Sequence, residues 1–386
     1  MIKGFKNVNA YIYGKGIINT NIGIENGKIC YIGNKNDFIE EICKIDGILV
    51  PGFIDQHIHG AGNSDTMDST FQSIQNISTT LAKEGTTSFI ATTMTQSVDK
   101  IKNAITNLSK INNKDLLGAK LIGVHLEGTF LSKTFKGAHL DEFIINPDIE
   151  TLDEIFKTVY NLNDFVKVIT YAPEHDDDNY SFLNYLKSKN IIVGAGHSNA
   201  SFDIINSSVK NGVSFITHTY NAQSKLHHRE IGVVGSALLI DEVYTEIICD
   251  LIHSSIPAIK LLIKNKPKDK IILITDSIKA KGISGDKSEL GGQEVFINNG
   301  KATLKDGTIA GSILKMNDAI KNLITKVGVS FENAVNFATY NPAKHLNILD
   351  KVGTIEIGKN ANFTVLDKDY NISLTMVDGE IVYNNK

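Results

Sequence analysis

The sequence predicts an α/β chain: a (β/α)8 TIM-type barrel with a small β-sandwich domain built from both termini. Three observations predict it. Eight apolar, strand-like runs cross the middle of the chain, with amphipathic stretches between most of them. Both ends are strand-rich and the middle is not. The polar residues of the middle gather where each apolar run ends.

The N-terminal segments NVNAYIYG, GIINTNIGIENG and KICYIG read as short strands separated by turns at Glu25-Asn26-Gly27 and Ile32-Gly33-Asn34. GTIEIG, NFTVLD, ISLTMVDG and EIVYN read the same way at the other end. One small β-domain made of residues 1–50 and 349–386, with a catalytic domain of residues 51–348 inserted, accounts for both. The eight runs are GFIDQHIH, SFIATTM, KLIGVHLEG, VKVITYAPE, IIVGAGHS, SFITHTYN, TEIICDLIH and KIILITDS. Their near-continuous apolar character fits strands covered on both faces. FQSIQNISTTLAKEG, DKIKNAITNLSKI, LDEIFKTVYNL and YSFLNYLKSK supply helices between them. A doubly wound sheet is the alternative, weakened because no glycine-rich dinucleotide loop follows the first run.

Composition narrows the function. The chain has 386 residues, 42% of them apolar and 21% charged, as in ordinary globular enzymes. A net charge of −4 leaves no broad basic field for nucleic acid. Cys30, Cys43 and Cys249 form no CxxC pair and no disulfide framework, which fits a reducing, cytoplasmic setting. The start has no signal-peptide run. No stretch of about 18 apolar residues predicts a membrane span.

The ends of the runs carry the chemistry. Run one ends in Asp55, His57 and His59; run three in His125 and Glu127; run five in His197; run six in His218; run seven in Asp250 and His253; run eight in Asp276. In a barrel these ends meet at one face. His57 and His59, two apart on a strand, point the same way and can grip one ion. Glu127 could bridge two ions, and His197 and His218 complete nitrogen coordination of the kind Zn2+ and Fe2+ accept. Asp276 beside a metal-held water can take its proton and return it to a leaving amine. Capping a helix is its structural alternative. His125 lies one step deeper than Glu127 and fits a structural hydrogen bond as well as a catalytic one. His175, His227 and His228 read as loop residues and His345 as structural. No Gly-x-Ser-x-Gly elbow and no P-loop occur.

PGFIDQHIHG, GVHLEGTF, KGAH, YAPE, GHSNA, THTYNA, HRE, ITDS, LGG, DGTIAGS and NPAK occur in an order that resembles the N-acetylglucosamine-6-phosphate deacetylases of the amidohydrolase superfamily. The resemblance runs from about residue 50 to the C-terminus. It implies a barrel with a small β-domain, a homodimer, and hydrolysis of the acetamide of N-acetyl-D-glucosamine 6-phosphate. It implies metal ligation by Glu127, His197 and His218, with a second ion through His57 and His59 and Asp276 as acid/base. The ions implied are Zn2+ or Fe2+, with Mn2+ or Co2+ as substitutes. Substrate contacts would fall on Ala138, His139, Asn221, Ala222, Arg229, His253, Ile309, Ala310 and Gly311. In the family the arginine reaches the phosphate from the neighbouring subunit.

Four positions depart from the family pattern. Thr129 stands where Gly-Pro-Phe has proline, Gln223 where Asn-Ala-Met has methionine, and Leu251 where Asp-Gly-x-His has glycine. Glu230 and Ile231 follow Arg229 with no proline. The alternative enzyme is an amidohydrolase deacetylating another N-acetylated sugar or amino acid, which Arg229 argues against because a cationic loop suits an acidic substrate. A barrel kept only for binding predicts lost ligands, and every candidate ligand is present.

Overall fold

The computed structural model describes residues 2–157, 159 and 165–385. β1 (Ile2–Ile12), β2 (Gly16–Glu25) and β3 (Lys28–Gly33) form an antiparallel meander. β4 (Ile39–Glu41) and β5 (Ile48–Pro51) both join the far side of β1, β4 beside residues 2–4 and β5 beside residues 9 and 10. A register shift between Phe5 and Val8 separates the two contacts. Such a bulge bends its strand, so the sheet can fork there.

The chain then enters the barrel. Its strands are β6 (Phe53–Ile58), β9 (Thr86–Thr92), β10 (Lys120–Glu127), β11 (Val166–Tyr171), β12 (Ile192–Ala195), β13 (Val213–Ile216), β14 (Tyr244–Ile248) and β15 (Ile271–Ile274). A two-residue pair, β7 (Gly60–Ala61) with β8 (Ser64–Asp65), lies just beyond β6. The eight barrel strands are parallel neighbours in the order β6-β9-β10-β11-β12-β13-β14-β15. All eight coincide with the apolar runs. Every residue of β6, β9, β14 and β15 is buried, the reason these runs lack the alternation of a half-exposed strand. Closure occurs past the end of β15, where the Asp276 amide donates to the His57 carbonyl (2.9 Å) and the His59 amide to the Ser277 carbonyl (2.9 Å). The seam therefore sets Asp276 directly against the histidine pair.

Helices pack outside. Phe71–Ala82 starts from a reciprocal Thr70/Ser73 cap and buries Ile74, Ile77 and Leu81. Val98–Leu108, Ile149–Phe156 and Ser181–Ser188 follow the next three strands, as their amphipathic patterns predict. Residues 158 and 160–162 of the LDEIFKTVYNL stretch lie outside the described residues. Phe202–Asn211, Gly232–Leu239 and Ile256–Asn265 continue the alternation.

Two further sheets complete the molecule. β16 (Lys287–Leu290), β17 (Gln293–Asn298) and β18 (Lys301–Thr303) form an antiparallel insert after β15 that no sequence run announced. Its outer positions are exposed, so it carries too few apolar residues to register as a run. Leu290, Val295 and Ala302 pack with Met94, Ala138, Ile278 and Ala310 over the barrel mouth. β19 (Phe363–Leu366), β20 (Ile372–Val377) and β21 (Glu380–Asn384) return to the start of the chain. β19 pairs with β5, so strands of both termini share one eight-stranded sheet. Phe5, Ile22, Leu49, Phe363 and Met376 lie in its common core.

Candidate active site

Six side chains from five strand ends converge at the mouth. None of these residues is more than 8% exposed: His57, His59, Glu127, His197, His218 and Asp276. Glu127 is the centre. Its Oε2 lies 3.2 Å from both His57 Nε2 and His59 Nε2. Those nitrogens also face Asp276 Oδ1, at 3.5 and 3.3 Å. Its Oε1 lies 3.1 Å from His218 Nε2 and 3.5 Å from His197 Nε2, and these two nitrogens are 3.0 Å apart. The geometry is two half-sites sharing one carboxylate.

The donor set fits divalent cations. Four imidazole nitrogens and three carboxylate oxygens face one another in a buried space, where unpaired charge is costly. The charges call for a positive centre. Burial works to lower the His57 and His59 pKa values, yet the neighbouring carboxylates outweigh it, raising His57 well above the usual imidazole value and His59 to about 9. Burial likewise works against the Glu127 and Asp276 anions, and the surrounding histidines still hold both carboxyls well below the carboxylate range. His57, His59 and Asp276 form one group with metal-ligand spacing. The spacing alone would group His139 rather than His218 with Glu127 and His197. His218 Nε2 lies closer to Glu127 Oε1, and on His139 the Thr95 backbone amide donates to Nδ1 (3.4 Å) while the Thr95 hydroxyl meets the same nitrogen at 2.6 Å. The Thr129 amide donates to that hydroxyl oxygen (3.1 Å), and the Thr95 amide already makes Nδ1 an acceptor, which leaves the hydroxyl free to donate to it. With Nδ1 accepting the Thr95 amide, a neutral His139 ring carries its proton on Nε2.

Ring tautomers follow from what lies behind the rings. His197 Nδ1 donates to the Phe135 carbonyl (2.9 Å), leaving Nε2 bare for an ion. His57 Nδ1 meets the buried Glu246 carboxylate at 3.1 Å. His125, below them, has its Nε2 on the Thr170 hydroxyl (2.7 Å), and burial lowers its pKa well below the usual value. It is absent from the cavity wall, in keeping with its structural reading. His345 is buried against Gln56, and His175 ends a short turn. No helix begins at Asp276, so capping does not explain it.

A cavity of about 290 Å3 opens above Glu127, at the small end of ligand sites. Its wall includes Ala138, His139, Asn221, Ala222, His253, Ile309 and Gly311, all expected from the sequence, with Asp276, His59, His197 and His218 at its floor. Two expected contacts lie elsewhere. Ala310 is fully buried in the small apolar cluster beneath the insert. Arg229 is exposed and away from the wall, its guanidinium meeting His228 Nε2 at 2.9 Å. No lysine or arginine lines the cavity among the described residues. Sequence reasoning missed Met94, Leu290 and Thr308 in the wall, Thr95 behind His139, and Glu246 behind His57. A glutamate inside the apolar run TEIICD was the available signal for the last, since buried acids need partners.

The backbone is strained around this site. Thr129, His197, His218, Tyr220, Ala222, Leu251 and Asp276 all have positive φ, between 29° and 84°. Non-glycine residues rarely adopt that region, and such outliers gather at functional sites. The departures from the family pattern become intelligible here. Thr129, at φ 72°, takes a conformation closed to proline and donates an amide that proline lacks. Gln223 is buried and ties the turn by donating to the Thr217 carbonyl (2.5 Å) while accepting the Tyr220 amide (3.3 Å). Glu230 accepts the amides of Phe202 and Gly232, each at 2.9 Å. Leu251 sits at φ 65°, where glycine would be unstrained.

Residues 48–382 match the model of the amidohydrolase family. The chain is 40% identical over 377 residues to the N-acetylglucosamine-6-phosphate deacetylase of Bacillus subtilis (strain 168), covering 96% of this chain and 94% of that one. It is 30% identical to an N-acetylgalactosamine-6-phosphate deacetylase of Escherichia coli O157:H7, covering 86% and 87%. Among solved structures, the N-acetylglucosamine-6-phosphate deacetylase of Thermotoga maritima superposes with a TM-score of 0.88 at 35% identity, over 99% of this chain and 100% of that one.

Proposed function

The chain belongs to the amidohydrolase family, and we propose that it hydrolyses the acetamide of N-acetyl-D-glucosamine 6-phosphate to D-glucosamine 6-phosphate and acetate. The observation that carries this reading is the carboxylate-bridged double half-site at Glu127, opening into a cavity with Asp276 on one side and His139 on the other. Glu127, His197 and His218 would hold one ion, and His57 and His59, with Asp276 beside them, a second. Zn2+ or Fe2+ suits this set of imidazoles and carboxylates. A divalent ion there polarises the acetyl carbonyl and brings the pKa of its water near neutrality.

The chain's own residues do the rest. Asp276 takes the proton of the attacking water and delivers it to the departing amine nitrogen. His139, held as the Nε2–H tautomer, donates to the carbonyl oxygen as negative charge develops there. His253 has Nδ1 on Asp250 (2.6 Å), so its Nε2 is left to meet the sugar or phosphate. Asn221, Ala222, Ile309 and Gly311 shape the sugar site. Gly311 is required beside Asp276: a Cβ there would lie 3.0 Å from the Asp276 carbonyl oxygen and 2.6 Å from Ile278.

With no lysine or arginine in the cavity wall among the described residues, Arg229 is the cation we assign to the phosphate, acting across a homodimer. Residues 1–50 and 349–386 then form the small β-domain and 51–348 the catalytic barrel. We place the enzyme in the cytoplasm, since the spacing of its three cysteines shows no CxxC pair and no disulfide framework.

The test is acetate release by protein of measured metal content from N-acetylglucosamine and N-acetylgalactosamine, each with and without 6-phosphate. The 6-phosphate of N-acetylglucosamine should be the best substrate. A higher kcat/KM for the galactosamine epimer would favour the second reading, which the Escherichia coli relative supports. Full turnover by metal-free protein would overturn both.

A further inference from the structure

Glu246 has no part in the chemistry above, yet it is fully buried in the middle of β14. Both its oxygens are engaged. Oε1 accepts from Gln56 Nε2 (2.7 Å). Oε2 faces His57 Nδ1 (3.1 Å) and accepts the His218 amide (3.2 Å). Gln56 Oε1 in turn meets His345 Nδ1 at 3.0 Å. A continuous line of hydrogen bonds thus runs from His345 through Gln56 and Glu246 to His57.

The line has one direction. An ionised carboxylate only accepts, so the amide of Gln56 is oriented by it and His57 must donate through Nδ1. The lone pair of the neutral His57 ring then lies on Nε2, the nitrogen 3.2 Å from Glu127 Oε2 and 3.5 Å from Asp276 Oδ1. The other histidine of the pair differs. Among the described residues His59 Nδ1 is buried with no hydrogen-bond partner, so no group behind the ring orients it. On the opposite half-site His197 is oriented by the Phe135 carbonyl, independently of Glu246.

We propose that Glu246 is a positioning residue for His57: it fixes the ring with Nε2 toward Glu127 and Asp276, and the ion on the His57 side depends on it. This rests on the two-ion amidohydrolase reading above. The ion held by Glu127, His197 and His218 does not depend on Glu246 in the same way. A carboxylate that merely tied β14 to its neighbours would affect both ions alike.

The test counts ions. Wild type, Glu246→Ala, Glu246→Gln, His57→Ala and the double variant Glu246→Ala/His57→Ala are loaded with Co2+ or Zn2+, then dialysed against graded chelator. Elemental analysis and the Co2+ absorption spectrum are read together. Wild type should hold two ions. Glu246→Ala should lose one at chelator levels roughly 10–100-fold lower, the usual worth of such a partner. Glu246→Gln, which keeps an acceptor for His57 but not the charge, should fall between and carries the test if the alanine variant does not fold. His57→Ala should lose the same ion, and the double variant no more than His57→Ala alone. Retention of both ions by a folded Glu246 variant, equal loss of both, or additive losses in the double variant overturns the proposal. Wild type with one ion and full deacetylation also overturns it while leaving the function standing. Wild type with no ion requirement overturns the functional reading instead.

Discussion

At the centre of the barrel mouth, six side chains from five strand ends meet at the floor of the cavity, on residues that are all buried. On the loop after β13, Arg229 is exposed, its guanidinium meeting His228 Nε2. The first region is complete in one chain. Its His57 and His197 rings are oriented by partners behind them, and its charges are set by one another. The second carries the cation proposed for the phosphate, yet lies outside the cavity that would hold the sugar. Bond cleavage needs groups fixed to fractions of an ångström, which rigid strand ends supply. Recognition of a dianion tolerates a mobile, long-reaching guanidinium that is ordered only when substrate or a second subunit arrives.

The largest expected effect tests the completeness of the centre. Asp276→Asn should lower kcat by roughly 10²–10⁴-fold, the usual worth of a positioned acid/base. Elemental analysis should still find the ion of the Glu127, His197 and His218 half-site. Near-normal kcat in the folded variant would remove Asp276 from the chemistry.

Arg229→Ala probes the other region. A hydrogen bond to a charged group contributes about 1.5–3 kcal/mol, so kcat/KM for the phosphorylated sugar should fall by about 10-fold or more. The unphosphorylated sugar should hardly respond. Mixing Arg229→Ala with Asp276→Asn protein should restore part of the activity if the arginine crosses a dimer interface. Absence of recovery despite proven subunit exchange would assign the arginine to its own barrel. Equal losses on both sugars would deny it the phosphate altogether.

Thr95→Val tests whether the wall between the two regions is as preorganised as the floor. The variant removes the hydroxyl that meets His139 Nδ1. A neutral hydrogen bond is worth about 1 kcal/mol, hence a fall in kcat of about fivefold. Nitrogen chemical shifts of the His139 ring should change with it. Unaltered shifts and kcat would show that the tautomer is held by other means.

The smallest effect concerns Leu251, beside the residues that face the sugar. Its φ of 65° costs an ordinary residue about 1 kcal/mol or more. Leu251→Ala keeps that strain and loses the packing of the side chain against the barrel core, whereas Leu251→Gly loses the packing and the strain together. The glycine variant should therefore denature at higher urea than the alanine variant, by about 1 kcal/mol. The opposite order would mean that the backbone here relaxes once the leucine is gone.

The fold was legible because the barrel strands are buried on both faces and their apolar runs stand out. The insert of β16 to β18 was not, since only one of its faces is covered. At the site, His57 and His59 were legible from strand period alone, and Glu127, His197, His218 and Asp276 from their place at run ends. Thr95 was not, because a threonine closing an apolar run has no distinguishing pattern. Its role depends on His139, 44 residues away.

The sequence by itself determined the residue types that can hold metal and move a proton, and the periodicity that carries them to one end of a barrel. The tertiary structure decided which atom of each does so. Closing β15 onto β6 sets Asp276 against His57 and His59, and the two oxygens of Glu127 divide the histidines into pairs. Contacts across 189 residues for Glu246 and 44 for Thr95 choose the protonated nitrogen of His57 and His139. Tautomers and half-sites depend on direction and distance between side chains remote in sequence, and only the folded chain brings those together.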